Sequence, residues 1–314
     1  MSKLKKAVLA FVGSLLVAVV VFMAATWAPD RPVESLKARW APPPSTFVSL
    51  QGMNVHLRDE GPRDDPAPIV LLHGTSASLH TWEGWASALR DKHRVIRLDL
   101  PGFGLTGPHP EGRYNAEAYT SFMRIMLDHL GIRACVIGGN SFGGYVAWKT
   151  ALADSRVRKL VLVDSGGYPN PNAKMPLGFK LAKTPGLNLL AAYSLPRSVV
   201  EKSLRNVYGD SSKVTPELVD LYYDLAVREG NRVALVKRFE QVTYESFDDI
   251  AHVTVPTLIL WGGRDHLIAP EFAARFQHDI TNSKLVMFDS LGHVPQEEDP
   301  GATVVPVRVF LEGQ

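Results

Sequence analysis

Ala134-Cys135-Val136-Ile137-Gly138-Gly139-Asn140-Ser141-Phe142-Gly143-Gly144-Tyr145-Val146-Ala147-Trp148 is the stretch on which the fold turns. Ala134 to Ile137 is short and apolar, as a buried strand is, and Phe142 to Ala153 reads as a helix. Between them a serine stands two residues from a glycine on either side, Gly139-Asn140-Ser141-Phe142-Gly143. Side chains at 139 and 143 would collide with the adjacent strand and helix, so a turn that sharp needs the smallest residues there. The hydroxyl of Ser141 then projects beyond the carboxyl end of the strand, at the N-terminus of the helix. There the backbone N–H of Phe142 faces an oxygen that gains negative charge.

Outward from this turn, short apolar runs alternate with amphipathic stretches, the pattern of a mostly parallel sheet covered by helices. Strands are expected near Phe47 to Leu50, Asn54 to Arg58, Ile69 to Leu72, Arg94 to Asp99, Ala134 to Ile137, Lys159 to Val163, Thr257 to Trp261 and Lys284 to Phe288. Helices are expected at Thr81 to Lys92, Ala116 to Leu130, Phe142 to Ala153, Pro270 to His278 and Gly301 to Glu312. From residue 167 to 251 the alternation stops. That segment reads as short helices broken by Pro176, Pro185, Pro196 and Pro216, an insertion of the kind that covers the mouth of a site. Within it, Leu187, Leu189, Leu190, Ala191, Ala192 and Tyr193 form an apolar stripe that suits either an acyl pocket or simple packing.

A serine nucleophile needs a base, and the base an orienting partner. Asp265 follows one expected strand in Trp261-Gly262-Gly263-Arg264-Asp265, and His293 follows the next in Gly292-His293-Val294. Both lie at carboxyl ends of strands, where sites on such sheets gather. Asp164, directly after Lys159 to Val163, is the rival for the acid. Upstream, Leu72 runs into His73-Gly74-Thr75-Ser76, which makes the N–H of Thr75 the second oxyanion donor. His73 reads as a packed structural histidine.

These residues resemble the α/β-hydrolase superfamily over essentially all of Phe47 to Gln314. His73-Gly74, the loop Asp99-Leu100-Pro101-Gly102-Phe103-Gly104, the nucleophile elbow, the Trp261 to Asp265 loop and Gly292-His293 match in order. The resemblance implies an eight-stranded, mostly parallel sheet with helices on both faces and a helical cap after strand 6. It also implies Ser141, Asp265 and His293 as the triad. The chain is similar to capped bacterial carboxylesterases and lipases, and it also resembles carbon–carbon hydrolases of aromatic degradation. From the latter it departs twice: His73-Gly74 is not followed by their Gly-Pro-Gly type loop, and Val294 stands where they carry Trp. Serine at 141 argues against the relatives of this fold that use an aspartate nucleophile.

The N-terminus poses a separate question. Ala7 to Ala28 is 22 residues without a charge, and at about 1.5 Å per residue a helix of that length matches a bilayer core. Lys3, Lys5 and Lys6 before it, against a mixed set after it, predict a retained anchor with the rest of the chain outside the cytoplasm. A secreted form after signal cleavage is the alternative. Pro29, Pro32 and Pro42 to Pro44 then suggest an extended stalk. The expected division is 1–28 anchor, 29–45 linker, 46–166 with 252–314 hydrolase core, and 167–251 cap.

The 34 basic and 32 acidic side chains leave a net charge of +2, no basis for nucleic-acid binding. The single cysteine, Cys135, excludes an internal disulfide and a cysteine zinc site. No metal-ligand spacing and no phosphate-binding glycine loop appears, so neither metal nor cofactor is expected. The expected activity is hydrolysis of a small apolar carboxylic ester through an acyl-enzyme, with a carbon–carbon hydrolase of meta-cleavage type or a hydrolase-like binding protein as alternatives.

Overall fold

The computed structural model describes residues 2–170, 175–184, 186, 188, 193–242 and 247–313. β1 (Thr46–Leu50) and β2 (Met53–Glu60) form a hairpin. Its two turn residues, Gln51 and Gly52, both have positive φ (49° and 74°), as a two-residue turn matching strand twist requires. β3 (Ile69–Leu72), α3 (Glu83–Leu89), β4 (Val95–Leu98), α4 (Ala116–His129), β5 (Cys135–Asn140), α5 (Phe142–Ala153) and β6 (Val157–Val163) follow as strand and helix alternate. Two helices precede β1: α1 (Lys3–Thr26) and α2 (Val33–Trp40). After β6 come α6 (Leu177–Lys183), α7 (Arg197–Val207), α8 (Pro216–Ala226) and α9 (Asn231–Gln241). The chain then returns to the sheet with β7 (Thr257–Gly262), α10 (Glu271–Asp279), β8 (Ser283–Phe288), α11 (Pro295–Glu298) and α12 (Pro300–Glu312). The eight strands lie in the order β1-β2-β4-β3-β5-β6-β7-β8, antiparallel only where β2 meets β1 and β4.

Strand periodicity explains why the inner strands are apolar throughout. Val70, Leu72, Ile137, Leu160, Leu162, Ile259 and Trp261 pack on one face with α4, α5 and α10. Their alternates, Ile69, Leu71, Val136, Val161, Val163, Leu258 and Leu260, pack on the other with α3 and α12. Trp148 and Phe276 on the first face and Trp82 and Trp85 on the second are fully buried. Each such ring removes about 150–250 Å² from water, a gross gain of about 4–6 kcal/mol before ordering costs. The eight expected strands are all present. The helix expected over Thr81 to Lys92 is instead a 3₁₀ turn, Leu79–Trp82, leading into α3.

The N-terminal expectation is corrected. Among the described residues no helix is long and apolar enough to cross a membrane. Lys3, Lys5 and Lys6 lie inside α1, not ahead of it, and Gly13-Ser14 interrupts its apolar run. With the anchor goes the basis for placing the remainder outside the cytoplasm. The end of α1 is fastened to the insertion: the Ala28 N–H donates to the Tyr193 carbonyl (3.1 Å), and the Ser194 hydroxyl donates to Thr26 Oγ1 (2.6 Å). Nor is the following segment an extended stalk. α2 seats Leu36 against Leu221 and Leu225 of α8, and both Arg31 (2.6 Å) and the Trp40 indole N–H (2.9 Å) bond Asp224. The spacing Val33, Leu36, Trp40 puts one apolar edge on that contact. The stripe at Leu187, Leu189, Leu190, Ala191 and Ala192 lies outside the described residues.

Candidate active site

Ser141 closes β5 and opens α5 with φ 55° and ψ −116°, a conformation that side chains rarely adopt. The flanking glycines explain how it is tolerated. A Cβ on Gly143 would sit 2.1 Å from the Leu72 carbonyl oxygen, and one on Gly139 would sit 2.2 Å from that of Gly143. The first-turn N–H of Phe142 has no intrahelical acceptor. A Cβ on Gly74 would lie 3.2 Å from Ser141 Cβ, so the Gly74-Thr75 turn passes directly over the serine. Thr75, Ser141 and His293 line one cavity.

His293 and Asp265 are both buried, and His293 Nδ1 lies 2.7 Å from Asp265 Oδ2. The Asp265 Oδ1 accepts the N–H groups of Leu267 (2.7 Å) and Ile268 (2.9 Å), which fixes the carboxylate plane. With Nδ1–H given to the carboxylate, Nε2 of the ring holds the basic lone pair. Asp164 joins the group from the end of β6. Its ligand atom, with those of Asp265 and His293, falls within 4.8 Å of the others. Its Oδ1 accepts the Gly262 N–H (3.0 Å). Burial, then the negative charge of Asp265, pushes the Asp164 carboxyl well above its usual range. These three residues offer enough ligand atoms for a cation, but the imidazole–carboxylate bond already occupies two of them.

Three supports of His293 carried no sequence signal. The Asn140 amide donates to the carbonyls of His293 (2.9 Å) and Val163 (3.2 Å), tying the serine turn to the histidine loop. The His293 N–H donates to the Val207 carbonyl of the insertion (2.7 Å). Glu298 accepts the N–H groups of Gly292 (2.8 Å), Gly209 (2.9 Å) and Asp210 (2.7 Å). Next to it, Glu297 takes the hydroxyls of Tyr208 (2.6 Å) and Tyr222 (2.9 Å), and burial raises its carboxyl above the usual range. Apart from Gly292 and Val163, 6 and 23 positions from their partners, these groups meet across 75 to 153 positions and leave no local pattern to read. His73 is fully buried, with Nδ1 bonded to the Gly74 carbonyl (2.8 Å) and Nε2 accepting the Leu100 N–H (3.0 Å). Both ring nitrogens are thereby committed to holding loops.

The cavity measures about 1020 Å³. Its walls are mainly apolar, from Leu177 and Phe179 on α6, Val200 and Leu204 on α7, and Leu235 and Phe239 on α9. Arg232 and Arg238 of α9 also line it. Arg232 is bonded to the Ala28 carbonyl (2.5 Å) and Asp30 (2.6 Å), and Arg238 stacks 4.4 Å from the centre of the Phe142 ring.

The model of a family described by its alpha/beta hydrolase fold matches residues 67–300. A 2-hydroxy-6-oxo-2,4-heptadienoate hydrolase of Pseudomonas putida is 30% identical over 280 residues, 85% of this chain and 96% of that protein. Further curated relatives carry names of the same reaction class. Among solved structures, a membrane phospholipase A described as a bacterial virulence factor superposes with a TM-score of 0.75. It covers 98% of both chains at 22% identity, a likeness of fold. An esterase from Thermogutta terrifontis is 25% identical, with a TM-score of 0.70 over 85% of this chain and 96% of that one.

Proposed function

The chain belongs to the α/β-hydrolase family, and from that premise we propose that it is a serine hydrolase attacking an acyl carbonyl through Ser141, His293 and Asp265. One observation carries this: a strained serine turn and His293, itself bonded to Asp265, open onto one cavity. Ser141 Oγ attacks the carbonyl carbon as His293 Nε2 takes its proton. Asp265 holds the ring tautomer and supports the imidazolium. The N–H groups of Phe142 and Thr75 receive the oxyanion. Collapse expels the leaving group, protonated by His293, and water repeats the sequence to free the acid.

For the bond broken, the cavity supports an ester with a bulky apolar acyl part. At about 1020 Å³ it stands at the upper end of the usual range for ligand pockets, about 300–1,000 Å³, and a seven-carbon dienoate would leave most of it unfilled. The esterase likeness and Val294 beside His293 agree with that. The second reading is cleavage of a carbon–carbon bond in a vinylogous ketone. By name the curated relatives favour it over the first, and the guanidinium groups of Arg232 and Arg238 suit a substrate carboxylate.

The test sets a series of p-nitrophenyl esters, from acetyl to palmitoyl, beside a dienoate ring-fission product. Ester hydrolysis that strengthens with acyl length upholds the first reading. A dienoate turned over at least about 100-fold more efficiently than any ester installs the second. In either case Ser141→Ala is expected to lower kcat by about 10⁵- to 10⁶-fold without unfolding the chain.

A further inference from the structure

We propose that Asp164 is a positioning residue of this site: it carries the one proton of a buried pair of carboxyls and donates it to Asp265. The inference rests on the reading of Ser141, His293 and Asp265 just given. Asp164 is fully buried at the carboxyl end of β6 and held at φ 43°, in the left-handed region, as Ser141 is one strand away. Strain at a non-glycine residue persists where the surroundings over-determine it. Its two oxygens are unlike. Oδ1 accepts the Gly262 N–H, whereas Oδ2 is buried with no donor directed at it. A bare carboxylate oxygen in that position is costly.

The groups around Asp164 explain the difference. From the loop after β7 it faces Asp265, from the loop after β8 it faces His293, and Glu298 of α11 adds further negative charge. Two ionised carboxylates this close, away from water, repel each other strongly, and one keeps its proton. Asp265 is the better anion, because it already accepts two backbone N–H groups and the imidazole N–H. A proton on Asp164 Oδ2, directed at Asp265, satisfies the orphaned oxygen and gives the carboxylate a fourth donor. Asp265 is then held from four directions while His293 gains and loses its charge.

Asparagine reproduces this arrangement atom for atom, its carbonyl accepting from Gly262 and its amide donating to Asp265. Asp164→Asn is therefore expected to keep kcat within about 3-fold, whereas Asp164→Val is expected to lose about 10- to 100-fold in kcat with KM nearly unchanged. Rates are taken per site titrated with a fluorophosphonate, so loss of folded protein does not pass for loss of rate. An infrared difference spectrum of wild type minus Asp164→Asn at neutral pH should show the carbonyl stretch of a protonated carboxylic acid. That readout stands even where the valine variant does not fold. An Asn variant crippled more than about 100-fold, with Asp265→Asn still active, would make Asp164 the ionised acid and overturn the proposal. So would the absence of the acid band, or a fully active valine variant. Failure of the triad reading shows separately, as an active Ser141→Ala.

Discussion

Replacing Glu298 tests whether the insertion and the histidine loop are one unit. The side chain is only 5% exposed and accepts three backbone N–H groups, from Gly209 and Asp210 of the insertion and from Gly292 beside His293. In Glu298→Ala these donors lose their acceptor in a buried place, and each such loss costs about 1–3 kcal/mol. Water entering the vacated space offsets part of it, which leaves an expected destabilisation of about 3–6 kcal/mol. For a chain of this size that lowers Tm by about 6–24 °C, at about 2–4 °C per kcal/mol. Glu298→Gln is informative in a different way. Oε2 serves Gly209 and Gly292, and Oε1 serves Asp210. An amide oxygen in the first place keeps two bonds but turns an N–H against the third, so about 1–3 kcal/mol is expected. Urea unfolding of the three proteins measures both, and the alanine variant should also lose about 10-fold in kcat as the Gly292-His293 segment slackens. An alanine variant with the wild-type midpoint and rate would refute the idea that Glu298 holds the loop.

Two further expectations follow from close contacts and burial. Gly143→Ala places a methyl 2.1 Å from the Leu72 carbonyl oxygen and 2.6 Å from that of His73. Backbone must move at the serine turn, and activity should fall by at least about 100-fold, while Gly178→Ala, whose nearest added contact is 3.8 Å, stays near wild type. His80, its pKa pushed down to about 4 by burial, has an unfolded value of about 6.5. The unfolded chain binds the extra proton between those values, so this contribution is complete above the upper one and is lost as pH falls toward the lower. His80→Gln should therefore show a shallower decline in unfolding free energy from pH 7 to pH 5, measured by urea titration, than the wild type.

Much of the sheet is legible because its strands are buried on both faces. Ile69–Leu72 and the helix Phe142–Ala153 are bounded in the sequence as they are in the structure. Ser141, Asp265 and His293 are each marked by a strand end and nearby glycine; in the structure Ser141 and His293 line one cavity, and Asp265 is bonded to His293. What escaped the sequence is held by distant contacts. α2 forms because Leu36 and Trp40 find α8, which proline counting at 29, 32 and 42–44 does not reveal. The apolar run at Ala7–Ala28 suggests an anchor by its length and lack of charge, yet no described helix is apolar enough to cross a membrane, and the end of the run is bonded to the insertion at Tyr193 and Ser194. Hydropathy sees composition along the chain and nothing of where that chain is fastened. Asn140 and Glu298 look like ordinary polar residues until their partners from elsewhere in the chain are in place.

Treatment with a fluorophosphonate followed by peptide mapping puts the nucleophile to the most direct trial. One adduct per chain is expected, on the peptide holding Ser141, with hydrolysis lost in proportion and no adduct on Ser141→Ala. Stoichiometric labelling of another residue, or undiminished hydrolysis by the fully labelled protein, would contradict it.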